Sequence, residues 1–249
     1  MVKIITLHNV NKKQFDWLYS FLRKLDKIFG VADPSNTNLL NQSNKILLTF
    51  DDGFKSNKIV ADKILKKLNI KAIFFISYDF IDLIPSEAYE FAQKNFYPTR
   101  KITESDGNMT SMTWGDIHSL IQDKHIIGGH TFSHPNLKLL NSYQDKHHEI
   151  VNSSKFIEDK INNPINHFAY PFGNLSSIDK ESVEIAKNHF MYAFSNIRGS
   201  TRLSPSRHFL FRQNIVPGIS LIKSFLIFSG LLNYKYRNIR KKAIDKLFS

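Results

Sequence analysis

Residues 46–53 read ILLTFDDG, an apolar run of strand length that ends in two adjacent aspartates and a glycine. Two neighbouring carboxylates repel each other unless a cation or a proton lies between them. Gly53 permits the tight backbone that would turn both Asp51 and Asp52 into one pocket. An Asp-Gly hairpin turn is the alternative, but it needs a paired strand close behind, whereas residues 55–68 have helical periodicity. The stretch therefore indicates a strand, a polar site and then a helix.

The same alternation of strand and helix continues along the chain. Further strand-like runs lie at residues 4–7, 71–77, 126–127, 168–170, 191–195 and 209–216, and helix-period stretches lie at residues 55–68, 114–124, 143–161 and 178–188. Strands separated by helices predict βα units and a mainly parallel sheet. We therefore predict an α/β fold, a single distorted (β/α) barrel of about seven strands, with its site at the carboxyl ends of the strands.

Composition limits the chemistry that the chain can carry. The 249 residues are 42% hydrophobic, which suits one well-packed core, and they include no cysteine. A disulfide framework and a thiolate metal site are therefore excluded, and any metal would need imidazole and carboxylate ligands. The opening MVKIITLHNV has too short an apolar run for a secretory signal. We therefore expect a cytoplasmic protein.

Charge sets the last part of the chain apart. Residues 219–249 hold seven basic residues and one acidic residue, and so carry half of the net charge of +12. We divide the chain into a barrel, residues 1–218, and a basic amphipathic C-terminal segment, residues 219–249. This segment could pack on the barrel with its charged face in water, or it could contact the inner face of an anionic membrane. Nucleic acid is a disfavoured third partner, because aromatic residues accompany the charges.

Two further motifs each follow a predicted strand. In HTFSH, His130 and His134 are spaced so that they could share one metal, although ten histidines in 249 residues make such a pair close to chance. Pro135 disfavours the α conformation at His134 and so predicts a loop. In FAYPFG, residues 168–173, proline and glycine favour a sharp turn that could aim a backbone N–H at an oxyanion. An ordinary Pro-Gly turn would explain that motif equally well.

Together, and in this order, TFDDG, HTFSH and FAYPFG resemble the motifs of the polysaccharide deacetylase family, also called the NodB-homology carbohydrate esterases. Residues 113–137 resemble that family's helix leading into its second motif, and the resemblance covers about residues 46–216. It implies a metal-dependent hydrolase that removes acetyl groups from N-acetylated sugars, and so cleaves a carbon–nitrogen bond other than a peptide bond. The sugar could be nucleotide-linked, lipid-linked or oligomeric.

The resemblance also implies a role for individual residues. Asp52, His130 and His134 match the family's metal ligands, usually for Zn²⁺, and Asp51 matches its general base. Phe172 lies where the family places a backbone N–H against the oxyanion. The chemistry agrees, because an amide is a poor electrophile and a Lewis acid that polarises its carbonyl is an efficient solution.

Two departures from the family pattern lead to two hypotheses. Many members carry an arginine at the position of Ala169, and we expect Arg212 to supply the missing positive charge near Asp51. The family also commonly has a C-terminal Leu-x-His motif, but no histidine follows His208 in this chain. His8 follows the first strand, as in a circularly shifted subgroup of the family, and we predict that it is the general acid. The alternative is a strand-end histidine without a role.

Other functions remain open, since a fold does not determine a substrate. The departures would also fit a catalytically weak carbohydrate-binding relative, and the site could hydrolyse an amide that is not part of a sugar. An exported chitin or peptidoglycan deacetylase is disfavoured by the absence of a visible signal sequence.

Overall fold

Seven parallel strands form a closed barrel in the order in which they occur along the chain. The computed structural model describes residues 2–36, 38–42, 44–229 and 231–248. The barrel closes where the first strand pairs with the last, with Ile5 opposite Gln213. The strands are β1 Lys3–Leu7, β2 Ile46–Phe50, β3 Ala72–Ile76, β4 Ile126–Gly129, β5 His167–Ala169, β6 Tyr192–Arg198 and β7 Leu210–Asn214. This confirms the predicted (β/α) barrel of seven strands.

Helices connect the strands and cover the outside of the barrel. They are α1 Phe15–Phe29, α2 Lys55–Val60, α3 Lys66–Leu68, α4 Pro85–Phe91, α5 Trp114–Gln122, α6 Tyr143–His147, α7 Ser153–Ile161, α8 Lys180–His189, α9 Leu221–Ser229 and α10 Arg237–Phe248. Wider π-helical turns at Ala61–Leu65 and His148–Asn152 join α2 to α3 and α6 to α7. The predicted helical stretches 55–68 and 143–161 are therefore continuous helices in the structure.

Alternation along each strand sorts side chains into two layers. In β2, Leu48 and Phe50 point outward into the core beneath the helices, where Phe50 stacks on Phe74 at 4.9 Å between ring centroids. Leu47 points inward and joins a second cluster with Phe75 and other residues inside the barrel. Both faces are apolar because both are covered, as expected for a parallel barrel.

The inward face of several strands becomes polar at its carboxyl end. Every second residue of a strand points to the same side. From the inward residues Ile4, Leu47 and Leu210, this spacing leads to His8, Asp51 and Arg212 respectively. The same spacing leads from Ile126 to His130 and from Phe194 to Asn196. Strand parity alone therefore collects these polar side chains at one end of the barrel.

The C-terminal segment contains α9 and α10. Ala243 and Leu247 of α10 are buried. The centroids of the Phe248 and Phe209 rings lie 5.5 Å apart, and Arg240 donates a hydrogen bond to the carbonyl of Arg198. This part of the segment thus packs on the barrel. Among the described residues, no helix combines the length and the apolar character that crossing a bilayer requires.

Candidate active site

The two aspartates lie in a turn that directly follows β2. Asp52 has φ of 82° and Gly53 has φ of 100°, a conformation that is uncommon for a residue with a side chain. The φ of Gly53 strains any residue with a side chain, and a Cβ there would also lie 2.9 Å from Cδ1 of Ile81, so both effects favour glycine. The turn leaves both carboxylates buried and brings them into the same pocket. The hairpin alternative does not occur, because β2 is followed by a helix.

Asp52, His130 and His134 form a compact buried group. The Nε2 atoms of His130 and His134 lie 3.4 Å and 3.7 Å from Oδ1 of Asp52. One ligand atom from each residue lies within 4.8 Å of the others, a spacing that could hold a metal ion. His134 has φ of 57° and lies in a loop, as Pro135 predicted.

Backbone carbonyls fix the orientation of both imidazoles. Nδ1 of His130 lies 2.7 Å from the carbonyl oxygen of Ala169, and Nδ1 of His134 lies 3.1 Å from that of Asn95. Because a carbonyl can only accept, each Nδ1 carries a hydrogen, which leaves each Nε2 as the atom that could bind a cation beside Asp52. Burial, reinforced by the nearby His130, lowers the pKa of His134 to about 4. A neutral imidazole of this kind is what a cation requires, so the three side chains fit a divalent metal.

A second carboxylate outside the group holds the HTFSH loop. Glu149 accepts hydrogen bonds from the backbone amides of Phe132 and Ser133 at 2.9 Å and 3.0 Å, and from the Ser133 hydroxyl at 2.7 Å. The hydroxyl of Thr131 accepts the amide of His134 at 3.0 Å. The loop that carries both histidines is therefore fixed by side chains from its own sequence and from the following helix.

Arg212 lies against Asp51 inside the barrel. Its Nη1 and Nη2 donate to the two carboxylate oxygens at 2.8 Å and 2.7 Å, and its Nε donates to the carbonyl of Ser195 at 2.8 Å. Burial alone would raise the pKa of Asp51, but the charge and hydrogen bonds of Arg212 outweigh it and lower that pKa to about 2. Asp51 is therefore ionised at neutral pH although it is buried.

His8 approaches the same carboxylate from the more open side. Its Nε2 lies 3.9 Å from Oδ2 of Asp51, and its side chain is 34% exposed. Phe172, with φ of 57°, places its ring against His134 at 4.6 Å between centroids. One cavity of about 410 Å³ is lined by all of the residues singled out in the sequence, His8, Asp51, Asp52, His130, His134, Phe172 and Arg212.

Several residues of the cavity carried no signal in the sequence. Tyr97 and Arg100 line it from the segment after α4, Asn174 lines it from the loop after β5, and Asn196 lines it from within β6. Burial and the charge of Asp52 raise the pKa of Tyr97. A second cavity of about 590 Å³ shares six lining residues with the first, Phe96, Tyr97, Arg100, His134, Phe172 and Asn174, so the pocket extends along the surface as a groove.

Comparison with known proteins gives one family and one fold. Residues 41–194 match the family model described as polysaccharide deacetylase. A comparison with curated proteins finds no match. Among solved structures, the deacetylase PplD of Streptococcus pyogenes, in complex with acetate, has a TM-score of 0.69 at 19% identity, over 91% of this chain and 97% of that one.

Two other solved structures are about as similar. A de-N-acetylase from Aggregatibacter actinomycetemcomitans has a TM-score of 0.67 at 16% identity, over 90% of this chain and 99% of that one. BC0361, a polysaccharide deacetylase from Bacillus cereus, has a TM-score of 0.68 at 17% identity, over 91% of this chain and 68% of that one. At such identities the structural likeness establishes the fold alone.

Proposed function

This chain belongs to the polysaccharide deacetylase family, and on that basis we propose that it is a zinc-dependent hydrolase that removes the acetyl group from an N-acetylated sugar. The observation that carries the proposal is one cavity in which a buried Asp-His-His group lies beside a buried carboxylate held by arginine. The bond broken is an amide outside a peptide chain, as expected for an enzyme of this family.

Asp52, His130 and His134 are the residues that would hold the metal. A divalent cation bound there supplies a Lewis acid that polarises the acyl carbonyl and acidifies water. One carboxylate and two imidazoles form a ligand set that suits zinc. Their burial and the two carbonyl contacts on Nδ1 keep the three side chains in place before any substrate arrives.

Asp51 is the proposed general base. It is adjacent to the metal group, and Arg212 donates one hydrogen bond to each of its oxygens. This pairing keeps the carboxylate ionised and fixes its direction, so it can accept a proton from the attacking water. Thr49, on the same inward face of β2, accepts a hydrogen bond from Arg212 at 3.2 Å and helps to hold the guanidinium.

His8 and Phe172 are proposed to act on the substrate itself. His8 lines the cavity on the exposed side of Asp51, where it could donate a proton to the leaving amine nitrogen. Phe172 lies in the sharp turn after β5, and its N–H is donated to no backbone carbonyl in the part of the chain that the structure describes. That amide is available to an oxyanion that forms beside His134.

The groove supports a substrate larger than a single sugar. Two adjoining cavities share aromatic residues, Phe96, Tyr97 and Phe172 among them, and sugar rings pack well on such faces. An oligomeric, lipid-linked or nucleotide-linked N-acetylated sugar would fill more of this surface than a free monosaccharide. A cytoplasmic location, and membrane contact through residues 219–249, remain predictions.

Metal analysis combined with acetate release tests the proposal. We expect purified protein to contain about one equivalent of zinc per chain, and to release acetate from at least one member of a panel of N-acetylated mono- and oligosaccharides. Asp51→Asn should keep the zinc and lose the acetate release. A protein that binds zinc and releases acetate from none of them would instead be a carbohydrate-binding relative or a hydrolase of a non-sugar amide.

A further inference from the structure

Helix α9 carries large apolar residues on its exposed side as well as on its buried side, where Ile227 is only 3% exposed. Ser224 is buried, with its hydroxyl donated to the carbonyl of Ser220 at 2.9 Å. Ile222 and Phe225 are 78% and 54% exposed, and Leu226 is also exposed. A surface helix normally buries its large apolar residues and exposes its polar ones. The outer side of α9 is therefore built to contact something other than water.

The exposed side of α9 continues onto α1. The Trp17 indole of α1 donates to the carbonyl of Ile219 at 3.2 Å and so fixes the start of α9 beside α1. Between them lies a groove of about 400 Å³, lined by Lys24, Leu25, Lys27, Ile28 and Phe29 of α1 and by Ile222, Ser224 and Phe225 of α9. Ile28 is itself 60% exposed. We call this surface the α1–α9 face.

Positive charge surrounds the apolar residues of this face. Lys24 and Lys27 line the groove and Lys223 is exposed on α9. On α1, Asp26 is the acidic residue that lies between Lys24 and Lys27 in the sequence. No acidic residue lies between positions 219 and 244. Long lysine side chains can lay their methylenes along an apolar surface and extend their ammonium groups outward.

We propose that the α1–α9 face binds the surface of an anionic phospholipid membrane. Ile28, Ile222 and Phe225 would enter the boundary between headgroups and acyl chains, and the three lysines would contact lipid phosphates. A second copy of this chain is a poorer occupant, because a symmetric dimer would bring the same lysines face to face. This proposal concerns a surface built by α1 and α9, and it does not depend on the deacetylase activity.

Vesicle flotation of the full-length protein tests the proposal. We expect binding to vesicles of equal parts phosphatidylcholine and phosphatidylglycerol, weak binding to phosphatidylcholine alone, and weaker binding to the anionic vesicles at high salt. Replacing two exposed apolar residues, Ile222→Ser with Phe225→Ser, should weaken binding by about 10-fold or more. The matched control is Ile84→Ser with Tyr89→Ser, two exposed residues that lie just before α4 and on it, and this variant should bind like the parent.

Charge and depth are tested separately. Lys24→Gln, Lys27→Gln and Lys223→Gln together should weaken binding to anionic vesicles, whereas Lys63→Gln, Lys67→Gln and Lys101→Gln, also exposed, should change it less. Because the chain has no cysteine, Ile222→Cys can carry a single environment-sensitive dye. Its emission should shift to the blue on anionic vesicles, and that of dye on Leu139→Cys should not.

Two results would overturn the proposal. One is equal flotation of the parent and the Ile222→Ser, Phe225→Ser variant with no dye shift at position 222. The other is a dimer in sedimentation velocity that the same variant dissociates, with no vesicle binding by the parent, because a second copy would then be the occupant.

Discussion

The histidines on the two sides of the aspartate pair are held very differently. His130 and His134 are buried, and the Nδ1 of each is hydrogen-bonded to a backbone carbonyl. His8 is partly exposed and approaches Asp51 at 3.9 Å. The first pair is fixed by the fold before any ligand arrives, whereas His8 faces the open side of the cavity.

This difference follows from what each side would contact. A metal site needs its ligands fixed, because every rearrangement on binding lowers affinity. A proton donor must reach an atom that is present only when the substrate is bound, and catalytic contacts often tighten only then. A fixed metal side and an open donor side are thus what the proposed reaction requires, and variants on each side should give different signatures.

The largest effect is expected on the fixed side. Asp52→Ala should remove the metal and lower kcat/KM by more than ~10³-fold, because several kcal/mol of Lewis-acid stabilisation are lost with the cation. Metal content by mass spectrometry and acetate release measure the two losses together. Asp159→Ala, an exposed aspartate on α7, is the control and should retain both. Full activity of Asp52→Ala would place the reaction elsewhere.

Arg212 also lies on the fixed side, and its loss should destabilise the folded protein. Arg212→Ala leaves Asp51 buried and ionised without its partner, which should lower the free energy of unfolding by about 3–5 kcal/mol. Urea unfolding at neutral pH measures this. The control is Arg100→Ala, which breaks a half-exposed pair with Asp106 at 2.6 Å and should cost about 0–1 kcal/mol. Equal losses would mean that the Arg212 pair is no more than a surface contact.

The same variant predicts a shift in the pH dependence of the rate. The pKa of Asp51 lies near 2, below its ordinary value of 3.8, because Arg212 outweighs the opposing effect of burial. The pair therefore contributes stability above about pH 4, and this contribution is lost as pH falls toward 2. Without Arg212, the effect of burial is opposed only by the charges of His130 and His8, so the pKa of Asp51 should rise and the acidic limb of the kcat/KM profile should move to higher pH. If the acidic limb did not move, Arg212 would not control the pKa of Asp51.

On the open side, His8→Ala should lower kcat by ~10²–10⁴-fold, the usual contribution of a general acid, while zinc content stays unchanged. An acetyl ester with a good leaving group needs no protonation, so the variant should lose much less activity on it. His118→Ala, an exposed histidine on α5, is the control. Loss of zinc in His8→Ala would instead make His8 a metal ligand.

Much of the barrel could be predicted from the sequence because each strand is a short apolar run between polar segments. The apolar run at residues 46–50 has the same bounds as β2. The alternation of side chains along the strands places Asp51 and His130 on the inward face. The helix α1 was not predicted, although its Leu18, Phe21, Leu22 and Leu25 are buried at helical spacing. The exposed apolar side of α9 also required the structure, because a helix with apolar residues on several sides does not itself show which side is covered.

The contacts that orient the site could not be predicted in the same way. The carbonyls of Ala169 and Asn95 hold the two imidazoles, and a backbone acceptor has no signature in side-chain identity. Arg212 reaches Asp51 across the barrel, and that distance depends on closure between β7 and β1. Glu149 is 16 residues from Ser133 in sequence, and nothing in its helical surroundings distinguishes it from an ordinary surface acid.

Glu149 gives the smallest of the expected effects. Glu149→Gln should weaken zinc binding by ~10–100-fold, because it acts on the metal through the HTFSH loop and not as a ligand. The carboxylate accepts from two backbone amides and one hydroxyl, and a neutral amide side chain would lose the charge that strengthens these hydrogen bonds.

A zinc competition titration and an activity assay at saturating zinc separate affinity from chemistry in this variant. We expect weaker zinc binding and nearly normal kcat once the site is filled. Glu158→Gln, which changes a carboxylate that also accepts a backbone amide, from Ile165 at 2.7 Å, is the matched control and should bind zinc like the parent. If kcat at saturating zinc fell as far as in His8→Ala, the loop would also position substrate, and the fixed side would no longer serve the metal alone.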